Sequence, residues 1–154
     1  MSEPGHLLDS NILLRLSKRD DPRYPVIRAA VLALRDQGVP LCYTSQTLAE
    51  FWNASTRPIQ NNGFGLDVPE TDAHARQIEK DFNFLPDSEA VHREWRRLVV
   101  LHEVKGVKVH DARLVASMRT HGIRHIVTFN EADFRRYPDI VAVHPERVSF
   151  SEKQ

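Results

Sequence analysis

A chain of 154 residues is long enough for one compact domain, and a single core of that size buries roughly 70% of the surface its unfolded form exposes. Twenty-one Lys and Arg balance twenty-one Asp and Glu, which argues against capture of nucleic acid by bulk charge and leaves room for a local site. The lone Cys42 excludes a disulfide framework and a cysteine zinc centre within the chain, and no stretch approaches the roughly 20 apolar residues of a membrane span.

The segment Met1 to His6 is too short and polar for a signal peptide. The expectation is therefore a soluble, cytoplasmic protein with no membrane association, built as one domain over residues 1–150 with a polar tail at 151–154.

Leu7 and Leu8 predict a buried strand that delivers Asp9 to a surface, followed by a turn into a helix carrying Ile12, Leu13, Leu14 and Leu16, capped by Ser10 or Asn11. Asp20-Asp21-Pro22 ends that helix. From Pro25 to Gln37, Val26, Ala29, Ala30, Leu32, Ala33 and Leu34 recur at helical spacing, with Gly38 as the C-terminal signal. Val39 to Tyr43 reads as a second buried strand, and Thr44-Ser45 caps a helix whose apolar stripe is Leu48, Phe51 and Trp52, with Glu50 off that stripe.

Arg57 to Asp67, rich in Pro, Asn and Gly, reads as a loop long enough to be mobile or functional. A helix starting at Pro69-Glu70-Thr71-Asp72 runs to about Phe82, and Asn83 to Leu85 is a brief strand. Pro86-Asp87-Ser88 opens a helix with Val91, Trp95, Leu98, Val99 and Leu101 inward and Arg93, Arg96 and Arg97 outward. Gly106 interrupts the pattern before the short apolar segment at Val109, and a helix beginning near Asp111 ends at Gly122. Ile123 to Phe129 is the next strand, centred on Ile126-Val127-Thr128, and Ile140 to Val143 an edge or closing strand. Strands alternating with helices predict an α/β fold with a parallel sheet.

Ligands in such sheets collect at the carboxyl ends of the strands. Asp9 closes the first strand, Glu50 rides the helix after the second, Asp133 lies just beyond a late strand, and Asp111 stands near a helix start aimed at the same rim. Singly, each is an ordinary cap or dipole partner. Together they repel, and a fold that converges four carboxylates does so around a divalent cation. An oxygen-only donor set favours Mg2+ or Mn2+ over zinc, and the chemistry implied is hydrolysis of a phosphodiester without a protein nucleophile.

Four segments carry a resemblance. Leu7-Leu8-Asp9-Ser10-Asn11-Ile12-Leu13, Ser45 to Phe51, Val109 to Ala116 and Thr128 to Phe134 resemble, in order, the four motifs of the PIN domain. The resemblance implies a three-layer α/β/α sandwich with a central parallel sheet and a ribonuclease of the VapC type, the toxin half of a type II toxin–antitoxin pair. It implies that Asp9, Glu50, Asp111 and Asp133 form the acidic cluster, with Asp9 and Asp111 as direct metal ligands. Asn11 would support the first motif by hydrogen bonding, and Thr128 and Asn130 would steady the fourth. The implied partners are RNA, a second copy of the chain and an antitoxin whose C-terminal segment covers the acidic groove. His110 departs from the usual pattern and is given no catalytic role.

Lys105 and Lys108 precede Asp111 and are candidates to approach an RNA backbone. Arg93, Arg96 and Arg97 read as a solvated helix face, and Trp52 and Trp95 as core or dimer-interface residues. No pair of the eight histidines has zinc-site spacing with a third ligand nearby. Gly63-Phe64-Gly65 lacks the lysine and the strand-to-helix setting of a phosphate loop, although Phe64 could touch RNA. A haloacid-dehalogenase phosphatase is disfavoured because Asn11 stands where that chemistry needs an acid. A housekeeping PIN nuclease and a non-catalytic PIN-like binding module remain the alternatives.

Overall fold

The computed structural model describes residues 4–148; the expected polar tail at 151–154 and the end of the domain at 150 lie outside the described residues. The chain begins with β1 (His6–Leu8), α1 (Ser10–Leu16), α2 (Tyr24–Asp36), β2 (Leu41–Thr44), α3 (Ser45–Thr56), α4 (Val68–Asp81) and β3 (Asn83–Leu85). It continues through α5 (Glu89–Leu101), α6 (Lys108–Thr120), β4 (His125–Val127), β5 (Val141–Val143) and the one-turn α7 (Pro145–Val148). The strands form one five-stranded sheet in the order β3-β2-β1-β4-β5, every pair parallel.

Alternation along the strands divides the core between the two faces. Leu8, Leu41, Tyr43 and Val127 point into a cluster shared with α1, α2, α3, α4 and α7. Leu7, Cys42, Leu85 and Ile126 point the other way, onto α5 and α6. The architecture is thus the expected three layers, helices over both faces of a parallel sheet. Burial pushes the Cys42 thiol up to about 11, so it behaves as a small core residue.

Several boundaries differ from expectation for local reasons. The cap of α1 is Asp9 itself, extended at φ −66 and ψ 159, whose carboxylate accepts from the Ser10 N–H. Neither Ser10 nor Asn11 is the cap, because the chain turns one residue earlier. Expected strand residue Val39 instead closes α2, its N–H reaching the Leu34 carbonyl, and Pro40 has no N–H to give a ladder, so β2 starts at Leu41. Ile123 similarly donates to Met118, and the strand expected over Ile123 to Phe129 shrinks to His125–Val127. Helix α6 begins at Lys108, which makes Val109 and His110 part of its first turn rather than a preceding apolar segment. After β5 the chain folds into α7 against α2, burying Val148.

The loop before α4 is stitched to the end of α3. Phe64 and Leu66 donate to the carbonyls of Ala54 and Ser55, and residues Ile59–Asn61 make a 3₁₀ turn. Gly63 is required there, since a Cβ would fall 1.8 Å from the Arg57 carbonyl oxygen. Trp52 is half-buried against the core, and the Trp95 indole donates to the Val109 carbonyl at 2.9 Å, tying α5 to α6. Both tryptophans therefore sit where the apolar stripes put them.

Candidate functional site

The strand order reverses direction at β1, from which the chain steps outward to β2 and β3 and later returns to β4 on the opposite side. At such a switch point the connections leave in opposite directions and open a cleft beyond the strand ends. Asp9 sits there, directly after β1, with its N–H bonded to the Val127 carbonyl of β4.

Its carboxylate is held on both oxygens. Oδ1 accepts from the Ser10 N–H at 2.8 Å, and Oδ2 accepts the Thr128 hydroxyl at 2.7 Å across the β1–β4 boundary. Thr128 is fully buried and its oxygen in turn accepts from the Asn130 N–H at 3.0 Å. Thr128, expected to steady the fourth motif, thus reaches the first one as well, while Asn130 contributes its main chain and leaves its side chain exposed. Asn11 departs from expectation: its side chain makes no hydrogen bond among the described residues, and its Oδ1 is buried without a donor.

Glu50 lies on α3, one turn beyond Gln46. The Gln46 amide donates to Glu50 Oε2 at 3.2 Å and to the His110 carbonyl at 2.8 Å. That one side chain therefore joins α3 to the first turn of α6, one residue from Asp111, while its Oε1 is buried and unpaired among the described residues. His110 itself is exposed and enters only through its carbonyl.

Asp111 is half-buried and accepts no hydrogen bond among the described residues. Burial, then the neighbouring charges of Asp133, Asp9 and Glu50, push its carboxyl up to about 6, against a partial offset from Lys108. Burial also raises Asp9, helped by Glu50 and Asp133 and opposed by the Thr128 and Ser10 hydrogen bonds. The four acids are therefore within electrostatic reach of one another although they come from four separate segments. Asp133, on the 3₁₀ turn Glu131–Phe134, is paired with the Lys108 ammonium at 2.6 Å. Lys105 is exposed and has no side-chain partner among the described residues.

Among the described residues, no three His, Cys, Asp or Glu side chains stand close enough to enclose an ion as they are. The donor chemistry nevertheless suits a hard divalent cation. The donors are all oxygens, Asp9 and Asp111 resist ionising beside their neighbours, and two buried amide oxygens, of Asn11 and Gln46, have no donor. The soft, nitrogen-rich set that zinc prefers is absent from this cluster.

Sequence reasoning missed Gln46, although its position four residues before Glu50 on one helix face was a readable signal. It also missed Arg135 and Arg136, which follow Asp133-Phe134 and line a cavity with Asp111, Asp133 and Lys108.

The PIN domain family model matches residues 6–140. No curated protein matches the sequence. Among solved structures, a toxin–antitoxin complex from Klebsiella pneumoniae is similar at TM-score 0.60 and 22% identity, covering 92% of this chain and 98% of that one. VapBC2 from Rickettsia felis, bound to a DNA fragment from its promoter, is similar at TM-score 0.65 and 14% identity, with 91% and 97% covered. A Mycobacterium tuberculosis VapC toxin described as cleaving the sarcin–ricin loop is similar at TM-score 0.60 and 18% identity, with 86% and 95% covered.

Proposed function

The chain belongs to the PIN-domain family, and from that premise we propose that it is a divalent-cation-dependent endoribonuclease acting as the toxin of a toxin–antitoxin pair. The observation that carries this reading is Asp111, a half-buried carboxyl with no hydrogen-bond donor among the described residues, within electrostatic reach of three other acids and pushed up to about 6. Such crowding weakens a cation-free fold, and a hard cation relieves it. In this reading Asp9 and Asp111 hold Mg2+ or Mn2+, and Glu50 and Asp133 complete the cluster.

When bound, a cation of this kind makes water acidic enough to attack at neutral pH and neutralises charge on the phosphodiester. The chain's own residues set the geometry. Thr128 and Ser10 fix the Asp9 carboxylate, Gln46 aims Glu50 and the first turn of α6, and the rigid strand ends keep these groups from drifting.

The toxin role is supported by the similar solved structures, which include a toxin–antitoxin complex and a toxin that cleaves the sarcin–ricin loop. The resemblance of the four motifs to the PIN domain supports two further parts of the reading: the inhibitor is a cognate antitoxin covering the acidic groove, and the active form is a homodimer. The purified chain should cut total RNA at mappable sites with Mg2+ or Mn2+, stop on chelation and resume on adding the cation back. Intact RNA under every cation would end the nuclease reading. Expression without the antitoxin should arrest growth, and normal growth would remove the toxin role while leaving the nuclease one.

A further inference from the structure

Beside the acid cluster, a cavity of about 280 Å3 is lined by the first turn of α6 and by the 3₁₀ turn that carries Asp133. Its lining brings together two acids, Asp111 and Asp133, and three bases, Lys108, Arg135 and Arg136. Several other surface arginines are matched to acids: Arg93 to Glu89, Arg97 to Glu94, Arg113 to Asp87 and Arg119 to Asp139. The two in the cavity are not. Arg135 has no side-chain partner among the described residues, and Arg136 makes one long hydrogen bond, 3.4 Å, to the His102 carbonyl.

Two exposed guanidinium groups that share a cavity with two carboxylates yet pair with neither are open to an external anion. Three cations against two acids leave one positive charge, which a single phosphodiester balances. The planar donor fork of arginine matches phosphate oxygens two at a time.

The geometry points to a phosphate subsite in which Arg135 and Arg136, joined by Lys108, hold an RNA phosphodiester next to the one presented to the acids. The inference rests on the ribonuclease reading above and adds to it the direction in which the strand leaves the acids, over the 3₁₀ turn. Lys108 is the shared member, within reach of Asp133 at 2.6 Å and lining the same cavity. Lys105 does not line it, so the two lysines singled out from the sequence separate into one inside the subsite and one outside. The arginine face of α5 stays a solvated surface, since Arg93 and Arg97 are already paired.

The test is steady-state cleavage of a short fluorescent oligouridylate across a salt series, with the double variant Arg135→Ala/Arg136→Ala, its Lys/Lys counterpart and Asp9→Asn. The alanine pair is expected to raise KM about tenfold, an effect that falls on KM rather than kcat. It should also shrink the slope of log affinity against log salt by about 0.7 for each phosphate that the variant no longer neutralises. The lysine pair should restore the wild-type salt slope and recover only part of the affinity, since lysine keeps the charge and lacks the donor fork; a purely structural role would not produce that split. Wild-type KM and salt slope in the alanine pair, with Asp9→Asn inactive, would overturn the subsite and leave the nuclease standing. No cleavage by the wild-type chain of either the oligouridylate or total RNA would overturn both. Both arginines are exposed, so the two arginine double variants should melt at the wild-type temperature.

Discussion

Replacing Asp111 by Asn is expected to abolish RNA cleavage and, at neutral pH without divalent cations, to make the protein more stable. The loss of activity should reach about a thousandfold, the several kcal/mol that placing one ligand of a cation site can supply. The gain in stability follows from linkage. The Asp111 carboxyl titrates near 6 in the fold and near 3.9 when unfolded, so the folded form binds the proton more tightly. Stability is therefore greatest below the unfolded value and falls as pH rises through 6. Discounted for solvent screening of a half-exposed group, the penalty at neutral pH is about 1–2 kcal/mol, and Asn removes it. Mn2+ should raise the melting temperature of wild type and leave Asp111→Asn unmoved, because only a binding-competent native state gains from added ligand. Asp9→Asn should lose cleavage to the same degree with a smaller stability gain, since it also disturbs the Thr128 hydroxyl bond. A variant that cuts RNA at the wild-type rate would remove that acid from the site, and equal Mn2+ stabilisation of wild type and variant would show that the cation binds elsewhere. A non-catalytic binding module would show no Mn2+ response in any form.

What the sequence made legible here is what local pattern controls. Asp9 could be placed because an apolar pair ends at it, and Glu50 because a Thr-Ser cap and an apolar stripe set its helix. What escaped is set by pairing between distant segments. Thr128 meets Asp9 across 119 positions through the parallel register of β1 and β4, and Gln46 meets the His110 carbonyl across 64. No local periodicity encodes either contact. The start of α6 differs from expectation because Gly106 and the apolar Val109 imitate a break and a short apolar segment, whereas Trp95 draws the Val109 carbonyl into the helix packing. The Lys108 to Asp133 pairing and the cavity with Arg135 and Arg136 exist only once the 3₁₀ turn after β4 is folded against α6. Asn11 shows the converse, a motif residue whose expected hydrogen bond is not made among the described residues, leaving its side-chain oxygen buried.

Acidification should load the opposite end of the same strand pair. His6 and His125 are register partners on β1 and β4, stacked with ring centroids 4.5 Å apart and planes within 5°. His6 is 7% exposed, its Nδ1 has no hydrogen-bond partner among the described residues, and burial together with His125 lowers its pKa to about 4. The unfolded value is near 6.5, so here the unfolded form binds the proton more tightly. The contribution of neutral His6 is complete above 6.5 and is lost as pH falls toward 4, about 3 kcal/mol in all. Asp111 moves the other way over an overlapping range, becoming less of a burden as it protonates near 6. The two ends of the β1–β4 pair therefore oppose each other in mild acid, and wild type should lose less stability between about pH 7 and pH 4 than the histidine end alone dictates. Urea midpoints at those two pH values separate the contributions. His6→Leu, which fills the site without a titrating group, should lose the acid-sensitive step and keep the Asp111 gain, while Asp111→Asn should show the full histidine loss. If His6→Leu destabilises on acidification as steeply as wild type, the buried imidazole is not the group that weakens this fold in acid.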